Sequence, residues 1–597
     1  MNLAALVHQC RFPYAYPVDE THLRVVLKAA RGDLARATCV YGDRYAWPTD
    51  NDAVQPLQYL GSDGLHDYWG ATLPAPRRRV RYLFYLEGAD GSRVWLTERG
   101  PCPRRPRLGH FQYPYIHRGD RFRQPEWIRG AVFYEIFPDR FDNGDPRNDP
   151  PGCLPWGAPP TREGMAGGDL AGIRRRLDYL RDLGVTCLYL TPIFKAPSNH
   201  KYDTADYYQV DPAFGTEAEL RELVAEAHRR GIRVILDGVF NHAGAQWPPF
   251  RDVVEKGPDS PYVGWFYQIH SFPVDPAQVN YETWGPDVPT LPKVDTSHPE
   301  VAAYFLGVAE HWIREVGIDG WRLDVANEVN HGFWRRLRER VKALRPDAFL
   351  LGEIWHDASD WLQGDQFDSV MNYPWREAVV AFLTGELDPV EFDQHLTRLR
   401  FRYPAEVLKG LVNLLGSHDT PRIRTVLGSR ERAAQAAVLL FTAEGVPMVY
   451  YGDEIGLEGG EDPDCRRCYP WDDLARQDRG LLSLYRRLGA IRRRFPWLND
   501  GAWETFLADP VRGILGYCRR PTPLVSPEPA AKEEGLYVVI NRSAAPVEVA
   551  LPTDSDLVDL LAGEMLSGRL EGRTLALPAY GAAVLAPRIL LIASPGG

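Results

Sequence analysis

A chain of 597 residues, 44% hydrophobic and 25% charged, has the composition of a soluble globular protein with several domains. Its net charge of -11 argues against nucleic acid as a partner, because phosphates need a basic surface, and no run reaches the roughly eighteen apolar residues of a membrane span. Eight Cys over this length make no disulfide framework, and the pair in "CRRC" (465–468) has no second pair or nearby His to complete a zinc set. The opening "MNLAALVHQCRFPYAYP" shows no secretory leader, so a cytoplasmic location is expected.

Residues 1–122 carry alternating runs, among them "VRYLFYLEGADGSRVWLTERG", in which "GADGS" separates two strands as a hairpin turn does. This region reads as a β-sandwich. From 123 to 505 strand-like runs alternate with helical patterns. The runs are "AVFYEIF" (131–137), "TCLYLTPIF" (186–194), "RVILDGVF" (233–240), "GWRLDVA" (320–326), "AFLLGEIW" (348–355), "SVMNY" (369–373), "GLVNLLGSHD" (410–419) and "VPMVYYGDE" (446–454). Eight strands alternating with helices such as "EAELRELVAEAHRRG" and "HGFWRRLRERVKAL" predict a (β/α)8 TIM barrel, with the helices ending in Gly at several C-caps. The Pro- and aromatic-rich stretch 243–296 interrupts the rhythm after the third strand and reads as an inserted subdomain. Short alternating runs return over 506–597, a C-terminal β domain in which 520–535 is loop by composition.

The loop "DNGDPRNDP" (142–150) concentrates Asn143, Asp145, Asn148 and Asp149, and "GGDL" (167–170) adds Asp169. Such hard oxygen donors suit calcium, although the spacing is not an EF-hand and the same residues also build Asx turns without an ion.

The C-terminal ends of barrel strands face one shared pocket. Asp237, Asn241 and His242 fall at the end of the third strand, Arg322 and Asp324 of the fourth, Glu353 of the fifth, and His418 with Asp419 of the seventh. In "GWRLDVANEV" (320–329) Arg322 and Asp324 are two apart and share a face, with Trp321, Leu323 and Val325 on the other. A structural ion pair and a carboxylate kept ionised for chemistry both fit that pair taken alone. Four acids, two His and one Arg at strand ends are better explained by a catalytic pocket, and carboxylates from different strands are what glycoside hydrolysis uses.

On "DGVFNH" (237–242), "GWRLDVANEV", "GEIW" (352–355) and "LLGSHD" (414–419), in that order, the chain resembles the α-amylase superfamily, glycoside hydrolase family thirteen. "VANEV", "LPKVDT" (291–296) and "HQCRFPYAYPVDE" resemble the cyclomaltodextrinase, neopullulanase and maltogenic amylase group, with Leu291 and Val294 where many members have Met and Leu. The resemblance implies Asp324 as nucleophile, Glu353 as general acid/base and Asp419 as a third carboxylate that holds sugar hydroxyls. By it Arg322 keeps Asp324 charged, His242 and His418 bond hydroxyls of the same ring, and Tyr202 lies under that ring. Asp462 and Arg466 contact sugar after the eighth strand, and Trp355 is either a leaving-group platform or a packing residue at the barrel top. Calcium at Asn143, Asp145, Asn148, Asp149 and Asp169, joined by the carbonyl of Gly167, is implied as well, as is a homodimer in which the N-terminal domain covers the partner's barrel.

The activity so implied is retaining hydrolysis of α-1,4-glucosidic bonds in cyclodextrins, maltooligosaccharides and pullulan through a covalent glycosyl-enzyme. An α-amylase or α-glucan transglycosylase on the same pocket is a second reading. A non-catalytic carbohydrate-binding relative is a third, and the complete set Asp324, Glu353 and Asp419 counts against it.

Overall fold

The computed structural model describes every residue except 47–51, 287, 522–534 and 593–597. At its centre are eight parallel strands: β1 (Phe133–Ile136), β2 (Cys187–Leu190), β3 (Arg233–Gly238), β4 (Gly320–Leu323), β5 (Phe349–Gly352), β6 (Ser369–Val370), β7 (Val412–Leu414) and β8 (Val446–Tyr450). Their order is β6-β5-β4-β3-β2-β1-β8-β7, and a parallel bridge from Met371 to Val412 closes the ring. The expected barrel is therefore present, with ladders shorter than the apolar runs. In "GLVNLLGSHD" only Val412–Leu414 are in the ladder, and Ser417, His418 and Asp419 lie beyond it, where the backbone is free to turn over the barrel mouth.

Period-2 alternation sorts the side chains. Phe133, Cys187, Ile235, Phe349, Leu351, Val412, Leu414 and Met448 fill the interior, whereas Leu188, Val234, Leu236, Trp321, Leu323 and Leu350 face the helices. Those helices form where apolar positions recur at helical spacing and caps delimit them. Glu217–Arg229 starts in a capping box of Thr216 with Glu219, and buries Leu220, Leu223, Val224 and Ala227 on one face. The helical pattern "LAGIRRRLDYLRDLG" (170–184) forms two helices, Leu170–Arg175 and Leu177–Leu183, the second ended by Gly184 at φ 97°. Between 243 and 296 the chain forms a helix, Pro248–Lys256, and isolated bridges His242 to Lys293, Phe266 to Val294 and Thr283 to Pro292. Its Trp247, Phe250, Trp265 and Tyr281 join the hydrophobic core of the barrel's outer layer.

Two sheets make up the N-terminal region. One has the order Ala15–Pro17, His22–Ala30, His66–Pro74, Gln58–Ser62, and the other contains Leu34–Gly42, Val80–Gly88 and Arg93–Thr97. They enclose Leu23, Val25, Leu27, Cys39, Leu73, Tyr82 and Phe84 as a sandwich. The C-terminal region has a five-stranded antiparallel sheet beginning at Ala502–Asp509, upstream of 506, and a second sheet of three strands. The segment read as loop there lies largely outside the described residues.

Arg519 fastens this last region to the barrel. It is fully buried, and its guanidinium donates to the carbonyls of Thr442, at the end of helix Arg430–Thr442, of Leu498 (2.9 Å), Gly501 (2.7 Å) and Ala502 (3.2 Å). Removing the donor leaves several buried carbonyls without partners, each costing about 1–3 kcal/mol. Arg519→Met is expected to destabilise the protein by at least about 3 kcal/mol, read as a lowered midpoint in thermal unfolding. An unchanged midpoint would mean that water replaces the guanidinium freely.

Candidate active site

β3, β4 and β5 run side by side, with Asp237 opposite Arg322 in the register. Because Arg322, Asp324 and Glu353 point inward at successive levels, one guanidinium meets three carboxylates. Its Nη1 donates to Asp237 (3.0 and 2.9 Å) and to Asp324 Oδ1 (2.8 Å), and its Nη2 is 2.9 Å from Glu353 Oε2. Arg322 is fully buried, and Asp324 and Glu353 are 5% and 6% exposed, so solvent screens these interactions little.

The backbone is forced into shape beside them. Val325, directly after Asp324, adopts φ 43°, a left-handed conformation that strains a β-branched residue by about 1–3 kcal/mol. In that turn its N–H donates to Glu353 Oε2 at 2.9 Å. The other oxygen, Oε1, accepts from the Trp355 indole at 3.1 Å. Glu353 is thus held on three sides, while Asp324 Oδ2 makes no hydrogen bond among the described residues and is 4.0 Å from His242 Nε2.

The electrostatics differ from the simple expectation of a carboxylate held low by Arg322. Burial pushes the Asp324 pKa well above the ordinary carboxylate range, and Glu353, Asp237 and Asp419 add to it, while Arg322 opposes. Asp237 is raised too, again by burial. At both Asp residues, then, burial outweighs the attraction of the shared guanidinium. Asp419 goes the other way. Burial opposes its ionisation, but His418, Arg466 and Arg322 hold its pKa below the usual range. Burial drives His242 down to about 3, so its ring is neutral.

The remaining expected residues gather round this centre. Tyr202 donates to Asp237 (2.9 Å) and stacks on the His418 ring, with centroids 5.3 Å apart. Arg466 donates to the His418 carbonyl (2.9 Å) and to Asp419 Oδ1 (3.2 Å), and pairs with Asp462 at 2.9 Å. Trp355 is 42% exposed and stacks flat on Tyr373 at 3.6 Å. One face of its ring is thus packed on Tyr373 while much of the side chain stays open to solvent.

Residues given no role from the sequence also belong here. Tyr189 donates to Asp237 at 2.6 Å, and Glu135 on β1 is 2.6 Å from His418 Nδ1. The signal for Glu135 was present: it is the lone charge in "AVFYEIF" and shares an inward face with Phe133. Tyr373 had no such signal, since an aromatic at a strand end reads as packing.

The Asn/Asp loop lies apart from these groups. Among the described residues no three His, Cys, Asp or Glu gather as a metal set. The amide oxygens of Asn143 and Asn148 are nevertheless buried without a hydrogen-bond partner, and Asn143 Nδ2 donates to Asp149 at 2.8 Å. Gly167, at φ 83°, brings its backbone against Asn143 and Asp149. Amide, carboxylate and carbonyl oxygens of this kind fit a hard cation. Two expected ligands are differently occupied. The Asp145 carboxylate is turned to Arg147 (2.7 Å), and Asp169 accepts the N–H groups of Gly144, Asp145 and Gly172, the last as a helix cap.

Comparison with known proteins agrees with this geometry. Residues 135–480 match the alpha amylase catalytic domain and residues 1–117 the alpha amylase N-terminal ig-like domain. The chain is 47% identical to neopullulanase 2 of Thermoactinomyces vulgaris over 98% of its own length and 99% of that protein's. It is 40% identical to an intracellular maltogenic amylase of Bacillus subtilis, covering 87% of this chain and 89% of the relative. A solved cyclomaltodextrinase structure superimposes with a TM-score of 0.90 at 40% identity, covering 98% of this chain and 100% of the other. With three carboxylates gathered on one buried arginine at the mouth of this barrel, the chain belongs to the α-amylase family of glycoside hydrolases.

Proposed function

We propose that the protein hydrolyses α-1,4-glucosidic bonds in cyclodextrins, maltooligosaccharides and pullulan with retention of configuration, as the names of its relatives suggest. The observation that carries this reading is the Arg322 clamp. It holds Asp324 and Glu353 on two nitrogens of one guanidinium, an arrangement suited to the separation of about 5–5.5 Å used by retaining enzymes rather than about 6.5–9.5 Å. Asp324, with Oδ2 free of internal bonds, attacks the anomeric carbon. Glu353 delivers a proton to the leaving oxygen, then accepts one from the water that releases the sugar. Asp419, ionised beside His418 and Arg466, holds hydroxyls of the distorted ring, with neutral His242 able to bond another. Tyr202 supports that ring, and Trp355 stacks on the leaving sugar.

Calcium is proposed for the Asn/Asp loop, held by Asn143, Asn148, Asp149, Asp169 and the Gly167 carbonyl, with Asp145 joining if its side chain leaves Arg147. Its role there is to rigidify the loop. We also propose a homodimer. The N-terminal domain is fixed to the side of its own barrel, where Tyr68 stacks on Phe401 at 4.1 Å, and it exposes Tyr45 (67%) and Val54 (62%) as apolar contact surface. A cytoplasmic location suits the eight Cys, all of them free thiols, and the intracellular relative.

Asp324→Asn and Glu353→Gln are each expected to lower kcat on β-cyclodextrin by roughly a thousandfold or more, with the fold retained by circular dichroism. The unaltered protein should release the α-anomer first by NMR. Near-normal activity of either variant, or initial β-anomer, would overturn the assignment.

Excess chelator is expected to lower the melting temperature, and added calcium to restore it, since a ligand held at a hundred times its Kd stabilises the folded state by about 2.7 kcal/mol. A melting temperature indifferent to both treatments would leave an Asx-turn loop. Light scattering of the full chain is expected to give twice the 67.6 kDa of one chain, and a mass of one chain would exclude the dimer.

A further inference from the structure

We infer that Glu135 is a positioning residue that holds the His418 ring as a hydrogen-bond donor through both nitrogens and so aims it at Tyr202 and Asp419. The inference rests on the reading of the site given above. Glu135 is fully buried on the inward face of β1. Its Oε1 is 2.6 Å from His418 Nδ1 and also accepts the His418 main-chain N–H at 3.2 Å, so it fixes both the ring and the backbone that carries it. The opposite nitrogen, Nε2, is 2.6 Å from the Tyr202 hydroxyl and 3.0 Å from Asp419 Oδ2.

Counting protons decides the state of the ring. Nε2 faces Asp419 Oδ2 at 3.0 Å, a carboxylate oxygen that accepts, while the Tyr202 hydroxyl has Asp237 Oδ2 at 2.9 Å to donate to. Nε2 therefore carries hydrogen. Nδ1 faces an oxygen that already accepts the main-chain N–H, and a lone pair there would oppose it across 2.6 Å. With hydrogen on both nitrogens the ring is an imidazolium, and Glu135 is the buried carboxylate that makes the second proton favourable.

The charged and titratable groups round the ring are consistent with this. Glu135 faces it from β1, Tyr202 and His200 from the loop after β2, and Asp237 from the end of β3. Arg322 lies behind Asp237 on β4, Asp419 adjoins it in its own loop, and Arg466 with the Cys465 thiol reaches its carbonyl from the loop after β8. Burial lowers the His418 pKa, but Asp419 and Glu135 outweigh it and push it up to about 10. Removing one of these two anions lowers that value, so the ring loses its proton, and Asp419 its charged partner, at lower pH.

The test is Glu135→Gln in the full chain, a near-isosteric change that keeps an acceptor. Expected are a shift of the His418 ring titration, followed by ¹⁵N NMR, to lower pH by about one unit or more, and a fall in kcat of roughly tenfold to a hundredfold. KM at acid pH should be little changed. A purely structural role would lower activity without moving that titration. Alongside it, the unaltered protein is labelled with ¹⁵N at its 15 His, and the His418 signals are identified by their loss in His418→Gln. Both ring nitrogens should be protonated at pH 8. An unmoved ring titration in a folded Glu135→Gln, or a neutral His418 ring at pH 8 in the unaltered protein, overturns the inference. If the variant does not fold, the ring signals decide alone. If the unaltered protein cleaves no α-glucan, the proposed function fails, while the ring signals still decide on Glu135.

Discussion

Everything at the barrel mouth depends on burying one guanidinium. Removing Arg322 from water is costly unless its charge is compensated, and the fold compensates it with the carboxylates of Asp237, Asp324 and Glu353 from three adjacent strands. The same contacts fix the relative placement of the two carboxylates proposed for the chemistry. The strained turn at Val325 contributes from the other side, since only that conformation aims its amide at Glu353 while Asp324 points inward. Stability and function are served here by the same set of bonds.

Charge is distributed unevenly across this site. The Arg322 cluster carries more carboxylates than cations, and burial raises Asp324 and Asp237. The opposite side, with His418 and Arg466, holds Asp419 ionised. One wall of the pocket therefore disfavours negative charge, and the other stabilises it. Asp side chains of one intrinsic acidity thus shift in opposite directions because their surroundings differ.

The flanking domains meet on a single element. Helix Pro389–Arg400, after the sixth strand, receives the N-terminal sandwich through Gly61 against Thr397, the Asp63 carbonyl accepting from Arg398 (3.3 Å), and Tyr68 stacked on Phe401 just past its end. On the C-terminal side Thr505 donates to Asp393 at 2.5 Å, and the Arg400 guanidinium lies 4.8 Å from the Trp503 ring. One helix thus touches both β domains, in addition to the Arg519 contacts with helix Arg430–Thr442, and gives them a shared frame on the barrel.

How much of this was legible in the sequence follows from the range over which each feature acts. Period-2 alternation put Arg322 and Asp324 on one face, and alternating strands and helices implied the barrel, because both depend on neighbours a few residues away. The ordered motifs at strand ends then named most of the residues that converge. Tertiary closure alone decided which partners they meet. It brought Glu135 to His418 across 283 residues and shared Arg322 among three acids, which reversed the expected direction of the Asp324 shift. It also set Trp355 on Tyr373 and turned Asp145 toward Arg147. Local pattern specifies which way a side chain points, but burial and charge depend on everything that packs around it, and these are properties of the closed barrel.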